Sequence, residues 1–167
     1  MQEDERLSKV AIILNEDESR QINEMFGEYL ADSEAKDIIL LNKSGELIAK
    51  SGDITSDAAV MVSALAAGVF SATNELARLL GEKEFTITFH QGKETNIHIS
   101  LITQSVLLAI IFDNHAPIGA IRFWAKKIGN SVKDIVKKAE KRSAEQQQKV
   151  TPEGFGNDIK NEIDNLF

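Results

Sequence analysis

Residues 57–80 read DAAVMVSALAAGVFSATNELARLL, a long apolar segment with a glycine near its centre. Its apolar residues recur at helical spacing, and Gly81 follows as a typical C-terminal cap, so the segment predicts one long helix. When the residues are placed at 100° intervals, one side of this helix is apolar along its whole length. We expect that side to pack on a sheet through Ala59, Val62, Ala66, Val69, Thr73, Leu76 and Leu80.

The opposite side of the helix is almost without side chains in its middle. It carries Asp57, Val60, Met61, Ala64, Ala67, Gly68, Ser71, Glu75 and Arg78. Gly68 costs about 1 kcal/mol relative to alanine in a helix interior, so a backbone lying close against this side is expected to compensate. Either another element of the same domain covers it or a second molecule does. Because no element is left over once the core is assembled, an intermolecular surface is favoured.

The flanking segments complete an α+β pattern. A helix is predicted over 18–30 with Asp17 as its cap, and a hairpin over 37–42 and 46–51 turns at a left-handed Gly45. Three strands follow at 84–90, 96–103 and 105–112, and a helix begins at about Ile118. Short connections favour antiparallel neighbours, so the order α-β-β-α-β-β-β-α predicts a five-stranded antiparallel sheet between helices. Residues 7–14 could form a further short strand.

Composition excludes several classes of protein. The 167 residues include no cysteine, which excludes disulfides and thiolate chemistry, and 26 acidic against 19 basic side chains give a net charge of −7. This balance disfavours a protein that coats nucleic acid. The acidic start does not resemble a signal peptide, and no apolar run reaches the roughly 18 residues of a membrane span. A cytoplasmic protein is therefore expected.

No catalytic or ligand-binding motif is present. His90, His98 and His115 have no metal-site spacing, and His90 is most simply a turn residue. The chain has no glycine-rich phosphate loop, and its serines and threonines lack a nucleophile-elbow context. We therefore expect no enzymatic activity, no cofactor, no metal and no nucleotide bound by this chain itself.

Several segments resemble the Roadblock/LC7 family, and within it the bacterial MglB-type regulators of small Ras-like GTPases. They are ILLNKSGELI (39–48), SALAAG (63–68), LGEKEF (80–85), FHQG (89–92), IIFDN (110–114), IGAIR (118–122) with KK (126–127), and the ending IDNLF (163–167). The resemblance covers most of the chain. It implies the Roadblock fold, which is profilin-like and longin-like, in a homodimer whose sheets join edge to edge and whose second helices lie side by side.

The resemblance also implies a function. Two copies would bind one small Ras-like GTPase and stimulate GTP hydrolysis by repositioning the GTPase's own arginine and glutamine, as in gliding motility or cell polarity, with the protein concentrated at a cell pole. Arg78 and Arg122 are then surface charges and not catalytic fingers. The GTPase-binding surface implied by the resemblance comprises Val60, Met61, Ala64, Ala67, Gly68, Ser71 and Glu75.

The C-terminal part divides into three predicted segments. The Roadblock domain spans 1–143, residues 144–154 form a hinge, and 155–167 form an amphipathic tail helix. The tail's apolar residues, which by resemblance contact a second GTPase surface, are Phe155, Ile159, Ile163, Leu166 and Phe167. Residues 126–149 carry eight basic and three acidic side chains, and this helix is expected to be a solvated face. Two alternatives stay open: a scaffold that holds a GTPase or motor subunit without changing turnover, and a membrane-associated adaptor that uses the basic helix.

Overall fold

The computed structural model describes residues 11–150, with the side chains of 148–150 left out, and residues 159–165. Three helices and five strands follow one another in the predicted order. Their bounds are α1 (Glu16–Ser33), β1 (Asp37–Asn42), β2 (Leu47–Gly52), α2 (Ser56–Leu79), β3 (Ile87–Gln91), β4 (Thr95–Leu101), β5 (Val106–Asp113) and α3 (Ile118–Val150).

The five strands form one antiparallel sheet in the order β2-β1-β5-β4-β3. The sheet-between-helices prediction is therefore confirmed. β1 is buried along its whole length and β5 along most of it, as expected for strands with neighbours on both sides and helices on both faces. β2 and β3 are the edge strands, and β3 begins at Ile87, three residues later than predicted. His90 lies within β3, so its prediction as a turn residue is wrong.

The sheet separates two apolar layers. On one face, α1 and α3 pack against alternate residues of the central strands, with Phe26, Leu40, Leu108, Phe112 and Val132 fully buried. On the other face, α2 packs against the intervening residues, which include Ile39, Leu107 and Ile99. Successive side chains of β1 and β5 point to opposite faces of the sheet, so each of these strands contributes to both apolar layers.

The cap of α1 differs from the prediction. The Asn15 side chain accepts from the Glu18 backbone N–H at 2.8 Å, and the Glu18 carboxylate accepts from the Asn15 backbone N–H at 3.0 Å. This reciprocal pair is a capping box, and it makes Asn15 the N-cap. The prediction of Asp17 is wrong because Asn15 precedes a glutamate at the required spacing. Residues 11–14, the described part of the predicted extra strand, are not a strand either.

Helix α3 is longer than predicted. It continues through 144–150, where a hinge was expected, because glutamine, lysine and glutamate are good helix formers. Residues 151–158 and 166–167 lie outside the described residues. Residues 159–165 are helical and exposed, which agrees with the predicted tail helix where the two overlap.

By length and composition, α2 would also suffice to cross a membrane. The prediction that no apolar run is long enough for a membrane span is therefore wrong for α2, because its many alanines keep the mean hydropathy high between the larger apolar residues. One side of α2 nevertheless packs against the sheet. Such a core helix passes the same test of length and composition.

Candidate functional site

Helix α2 approaches the sheet through small side chains. Its buried residues are Ala59, Ser63, Ala66, Ala67, Phe70 and Ala77. This face lies next to the predicted one, and the placement of Val69, Leu76 and Leu80 against the sheet is wrong, since all three are exposed. Small residues occupy the sheet-facing side because they let the helix axis come closer to the strands. Phe70 is the one large side chain that fills this interface.

A row of large apolar residues therefore points away from the domain. We call it the apolar stripe, and it consists of Met61, Leu65, Val69, Leu76 and Leu79. Leu65 is 69% exposed and Leu79 is 85% exposed. Contiguous exposed apolar residues on one helix face are typical of a surface that another molecule covers. Leu65, Val69, Leu76 and Leu79 were not predicted as surface residues, although apolar residues on more than one side of α2 were a visible signal.

Beside the apolar stripe runs a second row with little side-chain volume. We call it the bare strip, and it consists of Val60, Ala64, Gly68, Ser71 and Glu75, all of which are exposed. A Cβ at Gly68 would meet nothing within 4 Å, so no described part of this domain explains the glycine. Met61, also predicted here, belongs to the apolar stripe. Arg78 lies at the end of the strip and pairs with Glu75 at 2.7 Å on its own helix.

Ala67 does not belong to this surface. It is only 5% exposed because it turns toward the β1–β2 hairpin and the sheet. A Cβ at Gly45 would lie 3.6 Å from the Ala67 Cβ. The prediction of Ala67 as a partner-contacting residue is therefore wrong, and its physical role is to seat α2 on the hairpin.

The edge strand β3 adds a second exposed feature. Ile87 and Phe89 lie on it and are partly exposed, and Phe89 stacks on Phe112 with ring centroids 5.9 Å apart. β3 pairs with β4 on one side only. Its other side presents backbone donors and acceptors to another strand.

The structure describes only part of the tail. Ile159 and Ile163 lie on the exposed helix of 159–165, whereas Phe155, Leu166 and Phe167 lie outside the described residues. Ile159 and Ile163 stand four positions apart and so share one face of that helix. The described part of the domain does not cover this face, since both side chains remain exposed.

Within residues 11–150 and 159–165, no group of three histidine, aspartate or glutamate side chains is placed to hold a metal ion. The exposed face of α2 combines large apolar side chains with a strip of small ones. Its described residues do not form a catalytic group of acid, base and nucleophile. It is therefore suited to bind another protein.

Comparisons with known proteins agree with this fold. The sequence profile of the Roadblock/LC7 domain matches residues 21–112. MglB of Myxococcus xanthus is 30% identical, with 71% of this chain and 96% of that chain covered and a TM-score of 0.66. The gliding protein MglB of Thermus thermophilus is 24% identical over 78% of this chain and 98% of that chain, with a TM-score of 0.72.

A Roadblock/LC7 domain from Streptomyces avermitilis is 17% identical over 67% of this chain and 94% of that chain, with a TM-score of 0.64. A comparison with the sequences of curated proteins gives no match.

Proposed function

Because the chain belongs to the Roadblock/LC7 family, we propose that it is a homodimeric regulator that binds a small Ras-like GTPase and stimulates its GTP hydrolysis. The similarity to the MglB proteins of Myxococcus xanthus and Thermus thermophilus supports the choice of subfamily.

The observation that carries this proposal is the pair of rows on α2. Burial of the apolar stripe by a second copy removes large apolar side chains from water, which is the main driving force of stable association. The two α2 helices would then lie side by side and hold their bare strips next to one another. The exposed edge strand β3 supports the same dimer, because a second β3 could pair with it.

The paired bare strips form a shallow platform for the mobile loops of a GTPase. A regulator changes a switch equilibrium only through different affinities for its two states, so the platform must bind the GTP-bound loops better than the GDP-bound ones. Small side chains at Ala64, Gly68 and Ser71 allow a partner backbone to come close. In this proposal the platform repositions the GTPase's own arginine and glutamine and donates no catalytic group. Arg78 is consistent with that role, since it is paired with Glu75.

The C-terminal tail completes the proposal. The exposed face of Ile159 and Ile163 would contact a second surface of the GTPase. An apolar helix face that the domain does not cover is suited to lie in a partner's groove.

Single-turnover GTP hydrolysis tests the activity. The probe is a small Ras-like GTPase from the same genome, beginning with the product of a neighbouring gene, loaded with radiolabelled GTP and mixed with excess regulator. An increase of tenfold or more in the hydrolysis rate is expected. Binding without any change of rate would contradict activation and would instead indicate a scaffold.

A further inference from the structure

A groove lies on the face of the sheet opposite α2. It runs between the flank of α3 and strands β3 and β4, and its volume is about 460 Å³. That volume is within the range of small-molecule sites. The polar residues that line it are Thr86, His98, Ser100, Arg122, Lys126, Asn130 and Lys133.

The floor of the groove is polar and buried. His98 is 1% exposed and Ser100 is 8% exposed, and both project from β4 toward α3. Neither ring nitrogen of His98 nor the Ser100 hydroxyl has a hydrogen-bond partner among the described residues. Burying polar groups without partners costs free energy, so two neighbouring instances in one groove point to a ligand that supplies the partners.

The charge on His98 is also constrained. Burial, together with the positive charge of Arg122, lowers the pKa of His98 to about 4. At neutral pH the ring is therefore uncharged and keeps one N–H donor and one acceptor nitrogen.

The wall of the groove is cationic. Arg122, Lys126 and Lys133 all lie on the flank of α3, and no carboxylate lines the groove within the described part of the chain. None of the three forms an ion pair with another described residue. Three converging cations in a chain whose net charge is −7 concentrate positive potential at one place.

We propose that this groove binds a phosphate-bearing molecule. Arginine, lysine and hydroxyl donors are the groups that proteins use for phosphate, and the groove offers all three around one floor. The volume exceeds that of a phosphate group alone, and Ile87, Ile102 and Phe123 line it too, so they would contact the rest of the ligand. Because α2 lies on the other face of the sheet, the ligand leaves the apolar stripe and the bare strip free.

Isothermal titration of the full-length protein with inorganic pyrophosphate at low ionic strength tests the proposal. We expect saturable binding, and we expect the double variant Lys126→Ala/Lys133→Ala to weaken it at least tenfold. The matched control is Lys138→Ala/Lys141→Ala, which removes the same charge from exposed positions of the same helix. The control should change the affinity less than twofold. Absence of binding, or an equal loss in both variants, would overturn the proposal.

A second measurement reports on the floor. In a two-dimensional ¹H–¹⁵N spectrum of the histidine side chains, pyrophosphate should shift the His98 resonance and leave the His90 resonance in place. Ser100→Ala should weaken binding at least threefold without lowering the thermal midpoint. An unchanged His98 resonance at saturation would show that the anion stays outside the groove.

Vesicles distinguish the source of the phosphate. Binding of soluble pyrophosphate without sedimentation on phosphatidylglycerol vesicles indicates a soluble ligand, and sedimentation that Lys126→Ala/Lys133→Ala abolishes indicates a lipid headgroup. A polyglutamate peptide serves as the competing class of anion. If the peptide bound through Lys126 and Lys133 more tightly than either phosphate probe, the groove would be a peptide site and the proposal would be wrong.

Discussion

Gly45, in the turn between β1 and β2, lies directly against Ala64 of α2. A Cβ on Gly45 would be 2.9 Å from the Ala64 Cα, closer than a side-chain carbon can approach a backbone atom. Gly45 also has φ of +92°, a conformation that favours glycine. The turn is held by the Asn42 side chain, which accepts from the Glu46 backbone N–H at 2.8 Å. The hairpin therefore fixes the position of α2 at the start of the bare strip.

Replacement of Gly45 by alanine should lower the free energy of unfolding by at least about 2 kcal/mol. The left-handed backbone contributes about 1–2 kcal/mol, and the contact with Ala64 adds an overpacking cost. Urea denaturation measures the change. Gly81→Ala is the matched control, because Gly81 has φ of +82° but nothing within 4 Å of its Cβ. Equal losses in the two variants would show that the approach to Ala64 contributes nothing.

The ion pair of Glu18 and Arg142 should make stability depend on pH. Arg142 donates to both carboxylate oxygens at 2.8 and 2.6 Å, and these bonds hold the pKa of Glu18 below its ordinary value of 4.5. A lowered folded pKa stabilises the protein above about pH 4.5, and this contribution disappears as the pH falls through the folded value. Arg142→Gln should therefore lower the free energy of unfolding by about 1–2 kcal/mol at pH 7. The expected loss is no larger because solvent reaches the guanidinium and screens the pair.

The control for this prediction is the adjacent exposed Lys141→Gln. Urea denaturation of both variants at pH 7 and at pH 3.5 separates the ion pair from other contacts. The loss of unfolding free energy caused by Arg142→Gln should be smaller at pH 3.5 than at pH 7. The part of the loss that comes from the bond to the Ile13 carbonyl should remain, because that bond does not titrate. An equal loss of unfolding free energy at both pH values would show that the ion pair of Glu18 and Arg142 does not cause the pH dependence.

Much of the fold follows from local pattern. The continuous apolar runs along 37–42 and 105–112 predict strands that are buried on both faces. The helical period from Ile118 predicts α3, because burial of one helix face leaves a direct signature. The cap at Asn15 and the extension of α3 to Val150 were not predicted. The cap depends on only two side-chain hydrogen bonds, and helix ends in polar sequence leave no hydrophobic signature.

The candidate site was predictable only in part. Ala64, Gly68 and Ser71 were placed correctly on an exposed face because small residues and a costly glycine stand out in the sequence. The side of α2 that meets the sheet was identified only in part: Ala59, Val62 and Ala66 pack there as predicted, whereas Val69, Leu76 and Leu80 are exposed. The helix is apolar over most of its circumference. Periodicity then gives no unique face, and the close fit of Ala59, Ala66 and Phe70 against the strands decides the orientation.

Substitution of Leu65 by glutamate should dissociate the proposed dimer. A carboxylate in the middle of the apolar stripe would lose its water in the interface. The free energy of that desolvation exceeds the free energy gained by burying the neighbouring apolar side chains. Analytical ultracentrifugation should show the dissociation constant raised at least a hundredfold. Ile13→Glu is the control, since Ile13 is similarly exposed at 66% but lies far along the chain from α2. If Leu65→Glu remained as dimeric as the control, the stripe would not be the interface.

Introduction of arginine at Ala64 and Gly68 together should abolish GTPase binding and leave the fold intact. Both positions are exposed, and a Cβ at Gly68 has open space, so the long side chains project outward and block close approach. The matched control is Asn23→Arg/Gly27→Arg on α1, which has the same spacing, the same added charge and an equally open glycine. Single-turnover hydrolysis and circular dichroism are the measurements. Acceleration by the Ala64→Arg/Gly68→Arg variant equal to that by the control would remove the bare strip from the mechanism.

Deletion of residues 152–167 should weaken GTPase binding or slow nucleotide exchange at least fivefold while the thermal midpoint stays within about 2 °C. The domain loses no buried contact from 159–165, since those residues are exposed. Ile159→Ala/Ile163→Ala should reproduce most of the loss, because these two side chains form the apolar face of the helix. Lys160→Ala/Asn161→Ala changes other positions of the same helix and should have little effect. Equal behaviour of the two double variants would mean that the tail acts through its length or charge and not through an apolar contact.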